Sequence, residues 1–297
     1  MSDLSSYPYI SSYNFMLMAD QLSLGDDHKR CAHPDFKNIK NSIDPSKVEE
    51  GDILYVITDN LKGFFKNTYP FIRNPFILIS GRTDRGLTTT FKTDKIIRWY
   101  TSNLGVRHDK IEAIPLGIQN RHWKTLDNPE GDPSLLNLMQ LENIEKDKDV
   151  LMGFQPRSNP GERQPIWNKF NGKNWVTTIK YGKEQRADSS FRMNYYKEIK
   201  RHRFVLCPQG AGYDCHRNWE TWALGSFPII KKHISMEAFY DMPAWFVDSW
   251  NEVTPENIKI KYYSLINDIE SGKKTFNKAF FDHWQKKIKS SHDIRVG

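Results

Sequence analysis

The sequence predicts an α/β protein made of two Rossmann-like domains whose parallel sheets face a cleft, and three observations predict it. The chain of 297 residues has the length of two domains of about 150 residues each. Short runs of buried-strand character, ILYVIT at 53–58, PFILIS at 75–80 and FVLC at 204–207, give way to polar or glycine-bearing loops, and strand runs alternate along the chain with helical spacing, the pattern of a parallel sheet. The stretch FVLCPQGAGYDCHRNWETWALGSFPII at 204–230 holds a strand, a loop, a helix and a second strand in one span.

Composition bounds the function classes. With 38% hydrophobic and 13% aromatic residues, the chain can bury a core, and no low-complexity or repeated segment interrupts it. Its 43 basic and 36 acidic residues leave a charge of +7, a field that favours anions. The basic residues are scattered, and no recognition-helix, zinc-finger or ribonucleoprotein signature accompanies them, so a small anionic substrate is expected rather than nucleic acid. The N-terminal stretch lacks a basic n-region and any apolar run of signal-peptide or membrane-span length. The expectation is a soluble, cytoplasmic chain without membrane insertion. Three cysteines, Cys31, Cys207 and Cys215, are an odd number and suit a reducing compartment.

In chain order, Gly51-Asp52 marks a turn, Ile53 to Thr58 a strand, Asp59 a cap and Leu61 to Phe65 a short helical run. Pro75 to Ser80 is a second buried strand that runs into Gly81-Arg82-Thr83-Asp84-Arg85-Gly86, and loops after parallel strands carry chemistry. Ile96, Ile97, Trp99 and Tyr100 make a third unit that closes at Asn103 and Gly105, and Ile111 to Ile118 a fourth. Between Leu136 and Asp149 the chain turns polar and charged before a strand at Val150 to Phe154. That places a domain boundary between residues 1–145 and residues 146–297. Arg157 to Trp167 reads as a loop broken by Pro and Gly, with Arg157 and Arg163 either second phosphate contacts or exposed loop arginines. Residues 190–203 read as an amphipathic helix with Phe191, Tyr195 and Ile199 on a core-facing stripe. Tyr262 to Ile266 and Phe276 to Ile288 look helical.

The chemistry concentrates at 204–230. The strand from Phe204 ends at Pro208, which cannot donate to a central ladder. Gly210 and Gly212 make the turn, Asp214 is the expected N-cap, Trp219, Trp222 and Ala223 recur at helical spacing, and Gly225 supplies the C′ residue. Loop and helix N-terminus then present backbone N–H groups at the carboxyl end of a parallel sheet, where an anion belongs. Arg217 in the first turn can fork onto phosphate oxygens. Glu220, three residues on, is displaced by about 4 to 5 Å on nearly the same face, a plausible offset between a diphosphate and a ribose. The competing reading is an i,i+3 surface ion pair; the preceding glycines and the aromatic flanks of the helix weigh against it.

The runs F-V-L-C-P-x-G, H-R-x-x-E and G-x-x-P-I-I resemble the nucleotide-binding half of the exostosin family (glycosyltransferase family 47-like) of inverting glycosyltransferases. W-Y-x-x-N from Trp99 and I-P-L-G-I from Ile114 resemble its acceptor half. The resemblance implies the GT-B fold, a UDP-sugar donor with no other cofactor, and a glycan acceptor. Carried over residue by residue, it implies that Gly210 and Gly212 form the phosphate loop, that Arg217 holds the diphosphate with His216 beside it in the donor-binding set, and that Glu220 holds the ribose. Gln209 stands where many relatives carry a basic residue. Xylose, glucuronic acid, galactose and N-acetylglucosamine occur among relatives, and xylose is the sugar taken forward. Animal and plant relatives are usually anchored in the Golgi, so the expectation here is a trimmed form or a microbial or viral member, acting in host cytoplasm if viral.

Inversion requires a proton acceptor on the acceptor side, from a loop at the carboxyl end of a first-domain strand. Asp84 and His108 are the two candidates; against them stand pairing of Asp84 with Arg82 or Arg85, and a solvated His108. The D-K-D run at 147–149 invites comparison with the D-x-D metal site of GT-A transferases, but it precedes a strand in a lysine-flanked hinge, and no metal is assigned. Two other classes stay open. One is a different nucleotide-dependent, phosphate-handling enzyme, against which stands the absence of a G-x-x-x-x-G-K-[ST] run. The other is a glycan- or nucleic-acid-binding protein on an inactive transferase-like fold.

Overall fold

The structure, a computed structural model, describes residues 7–25, 42–119, 131–180, 182, 185 and 188–291; Cys31 lies outside them. It is an α/β fold with two all-parallel sheets of five strands each. Helix α1 (Ser12–Leu17) and β1 (Gln21–Ser23) come first, then β2 (Ile53–Ile57), α2 (Leu61–Asn67), β3 (Phe76–Gly81), β4 (Ile96–Thr101) and β5 (Ile111–Ala113). These strands pair in the order β1-β2-β3-β4-β5. Within the unit read over 111–118 the strand stops at Ala113, because Pro115 has no N–H to give a ladder and Gly117 turns the chain at φ +78°. The β3–β4 and β4–β5 connections contain no helix among the described residues, so strand and helix alternate less in this half than the sequence predicts.

The second sheet is built from β6 (Lys148–Met152), β7 (Val176–Thr178), β8 (His202–Leu206), β9 (Phe227–Lys231) and β10 (Trp245–Val247); the helices of this part of the chain are α3 (Pro133–Leu141), α4 (Pro160–Phe170), α5 (Ser189–Arg201), α6 (His216–Ala223) and α7 (Pro255–Glu270), and α8 (Phe281–Ser290) follows them. Its order is β10-β9-β8-β6-β7. The chain steps from β6 outward to β7, then returns to the other side of β6 as β8, so the strand order reverses between β6 and β8.

Three local expectations are corrected. The stretch 157–167 is not a loop: α4 occupies most of it, with Asn159 accepting from the Glu162 N–H and Pro160 at the first helical position, where its missing N–H costs nothing. Pro165 stays inside that helix because Arg163, Ile166 and Phe170 bury one face of it. The polar stretch before β6 contains α3, capped by Asp132 and packed through Gln140 onto the Ala223 carbonyl of α6. Asp214 is not the N-cap of α6; Cys215 is.

The core follows the two-residue period of the strands. Leu54 and Val56 of β2 face one cluster with Phe76, Leu78 and Trp99, and Phe204 and Leu206 of β8 face another with Val150, Ile229 and Trp245. The alternate residues, Tyr55, Ile77 and Ile79 on one sheet and Leu151, Val205 and Ile230 on the other, share a single central cluster with Trp219, Trp222 and Trp284. Helix α8 closes that core against the first sheet: Lys287 pairs with Glu112, the Tyr100 hydroxyl lies 2.6 Å from that of Ser291, and the Phe281 N–H donates to Pro8. Among the described residues, no helix is long and apolar enough to cross a membrane.

His202, the first residue of β8, is fully buried; its Nδ1 donates to the Glu198 carbonyl and its Nε2 meets no described partner. Burial pushes its pKa down to about 4 from 6.5. Because the folded value lies below the unfolded one, the unfolded chain takes the proton first, and stability is full above pH 6.5 and falls as pH drops toward 4. A loss of about 3 kcal/mol across that window is expected. Denaturation midpoints measured across it should show the slope in the wild type and a shallower one in His202→Asn; equal slopes would assign the acid loss to another group.

Candidate functional site

In open α/β sheets a ligand sits outside the carboxyl ends of the strands where the strand order reverses. Here that point lies between the loops after β6 and β8, so the glycine loop read from the sequence falls at the switch point. Asn159 Nδ2 donates to the Gly210 carbonyl at 2.9 Å, joining the two loops. Arg163, 5% exposed, reaches under the second loop from α4: Nε donates to Gln209 O at 2.8 Å, and the terminal nitrogens to Pro208 O and Gln155 O at 3.1 and 3.2 Å. It is therefore neither an exposed loop arginine nor directed outward at a phosphate. It shapes the loop and places a positive charge beneath it, at the position where Gln209 brings none.

With its carbonyls turned inward onto Arg163 and Asn159, the loop points its amides elsewhere. Among the described residues, the N–H groups of Gln209, Gly210, Ala211, Gly212 and Tyr213 have no acceptor. Gly212 is required by close approach, since a Cβ there would lie 2.8 Å from the Asn103 side chain.

Arg217 and Glu220 do not form the i,i+3 surface pair. Both are buried. Arg217 Nε donates to the Tyr195 hydroxyl at 2.9 Å, and that hydroxyl in turn lies 3.5 Å from Gly153 O at the end of β6. Glu220 Oε1 is 3.6 Å from Arg192 and 3.4 Å from the Tyr196 hydroxyl; Oε2 takes no bond from a described residue. Arg192, Tyr195 and Tyr196 thus line the candidate site; the sequence reading showed Tyr195 only as part of a core-facing stripe and did not single out Arg192 or Tyr196. The Cys215 thiol is drawn below its ordinary range, chiefly by a hydrogen bond from Cys207, and Arg217 and Arg163 add to the effect. Burial pushes Cys207 up.

The loop and α6 are clasped to the first half. Asp214 Oδ2 accepts from the Leu116 N–H at 2.9 Å and from Trp219 Nε1 at 2.8 Å, while Oδ1 accepts from the Cys215 N–H and Asn218 Nδ2, each at 2.8 Å. Burial pushes its carboxyl up, against the four donors that favour the anion. Asn103, at the carboxyl end of β4, adopts φ +54° and accepts from the Asp214 N–H at 2.8 Å while donating to Thr83 O. Tyr213 packs between Gly86 and Gly105, and His216 Nδ1 lies 2.7 Å from Gly117 O. The carboxyl edges of the two sheets therefore face each other. An asparagine just after a strand run, two residues before Gly105, was the available signal for Asn103, since asparagine tolerates the left-handed conformation that it adopts here.

The remaining candidates separate by edge. Asp84 lies in the loop after β3, at the facing carboxyl edge, exposed and bonded to no described residue, and Arg85 pairs instead with Asp59 at 3.8 Å. His108 does not meet the geometric condition set for it. It precedes β5, with Nδ1 accepting from the Lys110 N–H and Nε2 3.5 Å from the Thr93 hydroxyl, at the amino end of the strands. Asp147 and Asp149 also lie at an amino end and are bound by Arg201 and Arg203. Arg157 is exposed in the one-turn helix Pro156–Ser158, after β6. No group of three or more His, Cys, Asp or Glu suited to a metal occurs among the described residues. No protein-family model matches the chain, and no curated protein matches it.

Removing the carboxylate in Asp214→Ala strands four donors, three of them buried, and a loss on the order of 3 to 5 kcal/mol is expected. Asp214→Asn, which turns an amide NH₂ toward donors, should lose nearly as much. Urea denaturation of both variants checks this; a loss below about 1 kcal/mol in Asp214→Ala would show that the clasp holds nothing.

Proposed function

We propose that this chain is an inverting, metal-independent glycosyltransferase of GT-B architecture that moves a sugar, xylose, from a UDP-sugar to a glycan hydroxyl. The observation that carries the reading is the row of N–H groups from Gln209 to Tyr213 that no described residue engages, at the switch point of the second sheet and backed by the buried Arg163 and Arg217. Such a row suits a diphosphate. The likeness of F-V-L-C-P-x-G and H-R-x-x-E to the exostosin motifs supplies the sugar.

In this reading residues 146–297 take the donor and residues 1–145 the acceptor. The loop amides and Arg217 receive the diphosphate, which gains negative charge as it leaves, and fixed donors stabilise that charge without reorganising. Glu220, its Oε1 held by Arg192 and Tyr196, offers Oε2 to the ribose hydroxyls. Arg157, on the loop after β6, is placed to approach the phosphates from the other side of the switch point.

Arg217→Ala removes a charge-assisted contact and Glu220→Gln removes the charge that strengthens the ribose bonds. Each should weaken UDP binding by roughly 1.5 to 3 kcal/mol, about ten- to a hundredfold, in calorimetric titration. Unchanged affinity in a folded variant would remove that residue from the donor site. With Asp147 and Asp149 bound to arginines at the far edge, transfer should also persist in excess chelator. An enzyme silenced by EDTA and restored by manganese would show a metal requirement.

A further inference from the structure

His216 is the first residue of α6, and its ring bridges the two halves. Its one bond to a described residue is that of Nδ1 to Gly117 O, at 2.7 Å. A carbonyl only accepts, so Nδ1 carries the proton and the neutral ring keeps its lone pair on Nε2. The carbonyl is itself held in place. Gly117 sits at φ +78°, where a Cβ would collide with the Ile10 backbone, and the next N–H, that of Ile118, donates to Ile10 O at 2.7 Å. The ring is half-buried, three residues after the end of the amide row and against the first-half loop.

A nucleotide whose ribose lies toward Glu220 and whose diphosphate lies on the loop amides directs its sugar toward the first half. His216 is the first-turn side chain of α6 tied to that half. Resting on the donor reading above, in which the loop amides and Arg217 receive the diphosphate and His216, turned onto Gly117 O, does not, we infer that His216 is the catalytic base. As the acceptor oxygen bonds to the anomeric carbon, its proton passes to Nε2, the bond from that carbon to the β-phosphate oxygen breaks, and the electron pair leaves with UDP. The imidazolium later gives its proton to solvent. The fixed tautomer distinguishes His216 from Asp84, which no described residue orients, and from His108 at the opposite edge.

The test measures UDP affinity by calorimetry and UDP release from UDP-xylose, UDP-galactose, UDP-glucuronic acid and UDP-N-acetylglucosamine, water serving as acceptor. It compares wild type, His216→Asn, which keeps a donor for Gly117 O but has no base, and His216→Ala. The assignment expects a thermal midpoint close to that of the wild type in His216→Asn, UDP affinity within about threefold, release slowed roughly a hundredfold or more in both variants, and partial recovery of His216→Ala by added imidazole. Release near the wild-type rate in His216→Asn, a loss that follows UDP affinity alone, or collapse in Asp84→Asn with His216→Asn active overturns it. A wild type that binds no UDP ends the donor reading, and this assignment falls with it. A wild type that binds and turns over while His216→Asn does the same loses only the assignment.

Discussion

The buried carboxylate of Asp214 is the interaction on which the rest of the site depends. Its two oxygens collect a backbone N–H from the first half, a backbone N–H at the start of α6 and two side chains of that helix. An ion buried to this degree is tolerable only with its hydrogen-bonding capacity filled. Leu116, Cys215, Asn218 and Trp219 are thereby held in one arrangement, and the start of α6 is held against the first sheet. Asn103 completes the junction from the other side, in a backbone conformation that few non-glycine residues adopt.

The glycine loop gains its character from a division of its polar groups. Arg163 and Asn159 take the carbonyls of Pro208, Gln209 and Gly210, which turns the amides outward together. A flexible loop would present the same groups in many orientations and bind an anion only after ordering them; a loop fixed from beneath has met that cost during folding. The same guanidinium is what tightens the space at Gly210, where a Cβ would lie 3.1 Å from it.

The sharing of one central cluster between the two sheets bears on motion. Tyr55 and Ile79 from the first sheet and Val205 and Ile230 from the second belong to one buried cluster with Trp219, Trp222 and Trp284, and α8 ties onto β5 through Lys287 and Glu112. Closing around a ligand by sliding one sheet over the other would disrupt a packed apolar core, which resists continuous deformation.

Much of the fold was legible because its signals are local. Apolar runs of strand length placed β2, β3 and β8 within one or two residues, Gly225 ended α6 where expected, and the run after Phe204 located the loop. Where local signals conflicted, tertiary packing won: Pro160, Gly161 and Pro165 read as a broken loop, yet the buried face of Arg163, Ile166 and Phe170 makes α4 a helix. The site divides in the same way. Sequence alone determined the amides at a helix start and the spacing of Arg217 and Glu220. Only the tertiary structure decided that Glu220 pairs with Arg192, that Arg163 supports the loop from within, that His108 stands at the wrong edge, and that Asn103 and Asp214, 111 residues apart, meet at 2.8 Å. Spacing along a chain reports neighbours within a few residues, whereas those contacts depend on which strand edges the folded sheets bring together.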